Sequence, residues 1–180
     1  GVDRVNLTGI NSDISLGIGA TAVADLKIAN IELVEANTNR NNTLIAEKSN
    51  DNAWEISARN AGKLNGTLSF SGFANLIGGE KSDVFSFINE LSDISGFIDG
   101  NKGHDSLDLS ISNRDAVVRI VSDNTTANNN NIRIKNIEEI AADVRKNNQL
   151  IASDLDNLWT ITATNTGRLS DIASSSTIVF

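Results

Sequence analysis

A long internal repeat constrains this chain more than any other feature. The segment Asp51–Leu64 returns 105 residues later as Asp156–Leu169, with eight identities in fourteen positions and the shared pattern D-N-x-W-x-I-x-A-x-N-x-G-x-L. Shorter matches flank both copies. Because two copies of one sequence unit should share one structural unit, we expect a single segment of about 1.7 copies, divided into 1–104 and 105–180.

Within the repeat, apolar and polar residues alternate. Trp54, Ile56 and Ala58 illustrate this period of two, which is typical of a β-strand, and each such run ends after a few residues at Gly, Asn, Asp or Ser. Trp54, Leu76 and Ile98 are spaced by 22 residues, and the chain has no Pro, which regular sheets tolerate poorly. We therefore predict an all-β fold, a parallel β-solenoid (a right-handed β-helix) of about eight short rungs. A β-sandwich, which also has many short strands, is the alternative.

One stretch has a pattern that is more typical of a helix. Ile137–Val144 places apolar residues at positions i, i+3, i+4 and i+7. The corresponding stretch of the first copy, Ile31–Ala36, alternates as a strand does. Because both copies should share a structure, we predict a strand and a corner in each.

Asparagine is unusually frequent, with 25 residues. Asn adopts positive φ more readily than other residues that carry a side chain, so it suits the sharp corners between short strands. The Asn-rich segment Asn124–Asn131 is of low complexity, and we predict that it forms a protruding loop.

The large apolar side chains occupy matching or regularly spaced positions, which indicates a packed column. Trp residues can also serve as platforms on which sugars stack, but each Trp here opens an alternating strand, which favours the core. The predicted structural core consists of Trp54, Ile56, Phe70, Phe73, Phe85, Phe87, Leu107, Leu109, Trp159 and Ile161.

Composition excludes several functions. The chain has no Cys and a single His, so a thiolate metal site and a His-dependent hydrolase lack their residues. The formal net charge of −8 argues against nucleic acid, and no apolar run is long enough to insert into a membrane. His104 lies beside Asp105 and Asp108, but the surrounding sequence supplies neither a nucleophile nor an oxyanion hole. We therefore predict no catalytic residues.

Two neighbouring segments resemble a known repeat unit. Leu76–Phe85 and Ile94–Ser110 are similar to the pattern NLxGGxxxDxFxF…xGxIxGGxGxDxLDxS, and the Trp54 and Trp159 segments resemble the part that precedes it. This unit occurs in filamentous-haemagglutinin-like and other giant repetitive exoproteins of Gram-negative bacteria and cyanobacteria. The resemblance implies a parallel β-helix that is secreted or exposed at the cell surface, as part of an adhesin stalk or a biofilm matrix protein.

The same segments partly match the calcium-binding nonapeptide G-G-x-G-x-D-x-U-x. In such loops, backbone carbonyls and an Asp carboxylate converge on a hard cation. Lys81 replaces the third Gly of the first match, and Asn101 replaces the second Gly of the other. We predict that both loops are turns of the scaffold and that the chain has no cofactor. The alternative is a calcium site, with Asp83, Asp99 and Asp105 as candidate ligands.

These observations favour a non-enzymatic structural or adhesive rod. Its expected partners are neighbouring repeats of the same chain and a host or matrix glycan or protein, and the chain is expected to be a fragment of a longer protein. The alternative is a β-helix domain that binds or degrades polysaccharides, which would need a cluster of charged residues on one face. Here the acidic residues fall mostly at repeat-equivalent corners.

Overall fold

The described part of the chain is all β-structure and contains no helix, which confirms the all-β prediction. The computed structural model describes residues 1–19, 26–28, 30–121, 131–153, 157–163, 166–171 and 177–180. The predicted loop at Asn124–Asn131 lies outside these residues except for Asn131. The strands are β1 (Arg4–Leu7), β2 (Ser15–Ile18), β3 (Leu26–Ile28), β4 (Leu33–Ala36), β5 (Thr43–Ile45), β6 (Asn52–Ala58), β7 (Ala61–Leu64), β8 (Leu68–Ser71), β9 (Asn75–Ile77), β10 (Asp83–Phe87), β11 (Ile98–Asp99), β12 (Ser106–Leu109), β13 (Val117–Ile120), β14 (Ile132–Lys135), β15 (Glu139–Ala142), β16 (Gln149–Ile151), β17 (Asn157–Ala163), β18 (Thr166–Asp171) and β19 (Thr177–Val179).

The strands form two sheets that are mostly parallel. One sheet has eleven strands in the order β1-β4-β8-β7-β6-β10-β12-β15-β19-β18-β17, and the other has eight in the order β16-β13-β14-β11-β9-β5-β2-β3. The antiparallel pairs all lie within β6–β8 and β17–β19. The β-sandwich considered above as the alternative is built from antiparallel sheets, so the mostly parallel pairing seen here differs from that of a β-sandwich.

Side chains of similar character face each other across the parallel pairs. In the smaller sheet, Leu44 pairs with Leu76, and Leu76 with Ile98. In the larger sheet, Trp54 pairs with Phe85, and Phe85 with Leu107. The 22-residue spacing therefore holds for β9 with β11 and for β10 with β12. It does not hold for Trp54, because the antiparallel hairpin lengthens the chain between Trp54 and its parallel partner Phe85, and Leu76 lies in the other sheet.

That hairpin is formed by the repeated Trp motif. In the first copy, β6 pairs with β7, so that Trp54 faces Leu64. In the second copy, β17 pairs with β18, and Trp159 faces Leu169 in the equivalent register. The first turn contains Asn60 with φ of 56°. The sequence identity between the two copies thus corresponds to one local structure.

Asparagine supplies the left-handed backbone at the corners, as its frequency predicted. All described residues with positive φ other than Gly are Asn, with φ between 50° and 72°. The stretch with a helix-like pattern is a strand, β15, in which Ile140 is buried, and its copy is the strand β4. The prediction of strands in both copies is therefore confirmed.

Eight of the ten predicted core residues are fully buried, and the apolar faces of both sheets contribute to one cluster. The two exceptions are in the second copy, where Trp159 is 43% exposed and Ile161 is 68% exposed. The structure corrects the prediction for these two residues, since β17 is the last strand in the order of described strands and has no parallel neighbour to cover them. The buried members are Trp54, Ile56, Phe70, Phe73, Phe85, Phe87, Leu107 and Leu109.

Candidate functional site

Two of the three candidate aspartates, Asp83 and Asp105, lie in a column of polar side chains at the corner where strands of the larger sheet begin. Asn52 and Asp83 are the first residues of β6 and β10, while Asp105 and Glu138 immediately precede β12 and β15. Because these four strands are parallel neighbours, their first residues lie side by side. We call Asn52, Asp83, Asp105 and Glu138 the corner column.

Each carboxylate of the corner column accepts a hydrogen bond from the main chain of the preceding member. The main-chain N–H of Asn52 donates to Oδ1 of Asp83 over 2.8 Å, and that of Asp83 donates to Oδ1 of Asp105 over 2.8 Å. The N–H of Asp105 in turn donates to Oε2 of Glu138 over 2.7 Å. The carboxylates therefore continue the hydrogen-bond ladder past the point where main-chain pairing begins.

Asp83 has the most complete set of donors. The side-chain Nδ2 of Asn52 also donates to its Oδ1, over 2.7 Å, and the main-chain N–H of Gly79 donates to its Oδ2, over 2.5 Å. The Asp83 residue has no exposed surface. Both oxygens are thus satisfied by donors from the chain itself.

The repeat reproduces part of the corner column at the start of the chain. The main-chain N–H of Asp3 donates to Oε2 of Glu32 over 2.7 Å, the same distance as in the Asp105–Glu138 pair. Asp3 and Asp105 occupy equivalent repeat positions, as do Glu32 and Glu138. Sequence reasoning did not assign a role to either glutamate, although their matched positions beside matched Asp residues carried the signal.

The glycines of the nonapeptide-like segments make room for these carboxylates. A Cβ on Gly78 would collide with Oδ2 of Asp83 and with the main-chain oxygen of Gly100. A Cβ on Gly100 would collide with the main-chain oxygen of Asn136 and with the Asp105 side chain. Close packing of the corner therefore explains why Gly is needed at both positions.

Burial changes the acidity of the two aspartates. Burial, together with smaller contributions from the neighbouring Asp83 and Glu138 carboxylates, raises the pKa of Asp105 to about 7, although the hydrogen bond from the Asp83 N–H opposes the shift. Burial also raises the pKa of Asp83, while its hydrogen bonds from Asn52 and Gly79 oppose the shift. An acid that titrates near neutral pH is suited to proton transfer, but Asp105 is 1% exposed and so is out of reach of a polymeric substrate.

Asp99 is used differently from Asp83 and Asp105. Its Oδ2 lies 3.0 Å from Nζ of Lys135, and its Oδ1 accepts hydrogen bonds from Nδ2 of Asn136 over 2.7 Å and from the N–H of Asn101 over 3.0 Å. The structure thus joins Asp83 and Asp105 by one hydrogen bond and places Asp99 in an ion pair with Lys135.

The described residues contain no group of three or more His, Cys, Asp or Glu side chains that is arranged to hold a metal ion. Both oxygens of Asp83 and Oδ1 of Asp105 accept hydrogen bonds from N–H donors. In Asp99, Oδ1 accepts hydrogen bonds and Oδ2 contacts Lys135. Calcium binding by these residues stays the alternative to a purely structural role. His104 is exposed, and its Nε2 lies 4.0 Å from Oε2 of Glu139.

Comparison with protein-family models, with curated proteins and with solved structures found no match to this chain. Within the residues that the structure describes, there is no helix long and apolar enough to cross a membrane.

Proposed function

We propose that this chain is a structural segment of a β-solenoid rod, without enzymatic activity, whose role is to space other parts of a secreted or cell-surface exoprotein. The observation that carries the proposal is the in-register parallel pairing of similar side chains along both sheets. Leu16, Leu44, Leu76 and Ile98 follow one another in the smaller sheet. In such stacking, each level, meaning one strand from each sheet, packs only against the levels directly above and below it, as the repeats of solenoid proteins do.

The corner column supports the same proposal. Catalytic carboxylates must reach a substrate, whereas Asp83 and Asp105 are buried and accept hydrogen bonds from neighbouring levels of the sheet. The polar groups that looked most like a functional site therefore act as connections between levels. An adhesive role, with a host or matrix glycan or protein as partner, belongs to the same proposal through the resemblance to repetitive exoproteins.

Adding a repeat unit tests the proposed architecture. A unit contributes six strands to the larger sheet, from β1 to β10 in that order, and neighbouring strands are ~4.8 Å apart. A chain with a second copy of 1–104 placed before Asp3, the equivalent of Asp105, should therefore be about 25–30 Å longer in small-angle X-ray scattering, with an unchanged cross-section. A wider particle of unchanged length would contradict the rod.

A second measurement tests the absence of enzymatic activity. The chain should leave uronate polymers and other acidic polysaccharides intact over long incubation, while a glycan array reports any binding. Turnover that is lost in Asp105→Asn would overturn the proposal, since it would show that the corner column performs chemistry.

A further inference from the structure

The two sheets end together beyond the second copy of the Trp motif. In the order of described strands, β17 is the last of the larger sheet and β16 is the last of the smaller sheet. Their counterparts in the first copy, β6 and β5, are instead paired with β10 and β9. The edges of β16 and β17, which we call the open end, therefore correspond to the position that β9 and β10 occupy in the first copy.

The open end exposes apolar side chains that are buried in the first copy. Trp159 and Ile161 are 43% and 68% exposed, whereas Trp54 and Ile56 have no exposed surface. Beside them lies a pocket of about 330 Å³. Its lining is largely apolar and includes Leu109, Ile140, Leu150, Trp159 and Phe180.

Part of the aromatic packing of the first copy is already present at the open end. Phe180 meets Trp159 edge to face at a centroid distance of 5.9 Å, as Phe70 meets Trp54 at 5.8 Å. In the first copy, Phe85 of β10 also stacks on Trp54 at 5.6 Å with the rings 12° apart. Among the described residues, no ring stacks on Trp159 in this way.

We propose that the open end binds a segment with the sequence pattern of β9 and β10 from a further repeat unit. This names a partner of the proposed rod and so rests on that proposal. One aromatic residue of the segment stacks on Trp159, as Phe85 does on Trp54, and a second covers Ile161, as Phe87 pairs with Ile56. The aspartate at the position of Asp83 extends the corner column.

A second copy of this chain would cover the open end less completely than the β9–β10 segment. At the other end of the larger sheet, β1 is the counterpart of β12, and β12 is also paired with β10 in the structure. A strand of the β10 type therefore belongs between β17 of one unit and β1 of the next. Direct pairing of β17 with β1 would omit that strand and its aromatic residues.

A dye-labelled synthetic peptide of residues Phe73–Ile88 tests the proposal on the full chain by fluorescence anisotropy. We expect saturable binding that weakens at least tenfold when the peptide carries the change Phe85→Ala. We expect a similar loss in the chain variant Trp159→Ala. Leu158→Ala is the matched control, because Leu158 is on the same strand but at the outward position of Ala53 in the first copy, and it should bind as the parent does.

Equal binding of parent and Trp159→Ala chains, or of parent and Phe85→Ala peptides, would overturn the proposal. Because a free peptide also has to be ordered on binding, a second arm attaches a copy of 71–104 after Phe180, which corresponds to Phe70. The attached copy should protect Trp159 from acrylamide quenching and raise the melting temperature by several degrees; failure of both effects contradicts the proposal. A dimeric mass in light scattering that is lost in Trp159→Ala would assign the open end to a second copy instead.

The outcomes of the peptide-binding experiments are independent of the test of the rod architecture. The scattering experiment on a lengthened chain can fail while the peptide still binds to Trp159. Conversely, if the lengthened chain has the expected length but the open end does not bind the peptide, the rod architecture is supported and the proposed partner is ruled out.

Discussion

The two copies of the Trp motif have the same local structure and opposite burial. In both, the Trp strand pairs with the following strand in the same antiparallel register, and a Phe ring meets the indole edge to face. Yet Trp54 has no exposed surface, whereas Trp159 is 43% exposed. The difference comes from the parallel neighbour, since β10 covers Trp54 and no described strand covers Trp159.

This comparison separates two levels of information in the repeat. The motif itself determines the hairpin, because its alternation and its turn residues are local. Burial of the Trp depends on a strand that lies about 30 residues further along the chain, with Phe85 as its stacked partner. A residue at an equivalent repeat position is therefore a core residue only where the next level of the sheet is present.

The largest expected effect is a contrast between the two Trp residues. Trp54→Ala should lower the free energy of unfolding by ~3–5 kcal/mol, because it removes a fully buried aromatic side chain. Trp159→Ala should cost about 1 kcal/mol or less, because the residue is already partly exposed. Urea denaturation of both variants measures the contrast. Equal losses in free energy of unfolding would contradict the conclusion that β10 makes Trp54 a core residue and Trp159 not.

The attachment of β10 offers a second test. Asp83→Ala leaves the buried N–H groups of Asn52 and Gly79 without their acceptor, which should cost about 3 kcal/mol. Since β10 covers Trp54, the emission of Trp54 should also move to longer wavelength, towards that of Trp159. Glu90→Ala, at an exposed position, is the control and should change stability by less than about 0.5 kcal/mol.

A smaller effect is expected from the titration of Asp105. Its pKa is about 7 in the folded chain against 3.8 ordinarily, so between pH 4 and pH 7 the folded state keeps a proton that the unfolded state has released. The free energy of unfolding should therefore fall as the pH rises through this window and level off above pH 7.

Asp105→Asn should flatten that slope and keep an acceptor for the Asp83 N–H. Denaturant unfolding at pH 4.5, 6 and 8 measures it. Asp143 provides a separate window, because Arg145 lowers the pKa of Asp143 to about 2 and its contribution is lost only as the pH falls below 4. Because burial also raises the pKa of Asp83, part of the slope should remain in Asp105→Asn. A slope equal to that of the parent chain would show that Asp105 is not responsible.

The smallest expected effect is that of calcium. Millimolar calcium or a chelator should leave the melting temperature nearly unchanged, because both oxygens of Asp83 and Oδ1 of Asp105 already accept hydrogen bonds from the chain. A bound ion at a hundredfold excess over its Kd would instead stabilise the fold by about 2.7 kcal/mol. A shift of several degrees that disappears in Asp105→Asn would establish a calcium site.

The sequence was informative where structure is local. Alternation of apolar and polar residues predicted the strands, and Asn residues marked the corners. Comparison with Ile31–Ala36 correctly predicted a strand within Ile137–Val144. The 22-residue spacing did not extend to the strand pairing of Trp54, because spacing cannot distinguish an antiparallel hairpin from a further level of parallel strands. The exposure of Trp159 was missed because it depends on sheet order.

The candidate site was predicted only in outline. The sequence identified Asp83 and Asp105 from a loop pattern, and that pattern has the same glycines whether the carboxylate holds a cation or accepts main-chain N–H groups. The roles of Glu138 and Asn52 depend on which strands become neighbours. Such contacts between segments about 30 residues apart follow from register and cannot be inferred from a short motif.

Acrylamide quenching of two variants with a single Trp tests most directly whether the neighbouring strand decides burial. Trp159→Phe leaves Trp54, and Trp54→Phe leaves Trp159. The second change keeps an aromatic ring and removes an indole N–H that has no hydrogen-bond partner among the described residues. We predict that Trp54 emits at short wavelength and resists quenching, while Trp159 emits at longer wavelength and is readily quenched. Equal quenching of the two residues in folded protein would contradict the account.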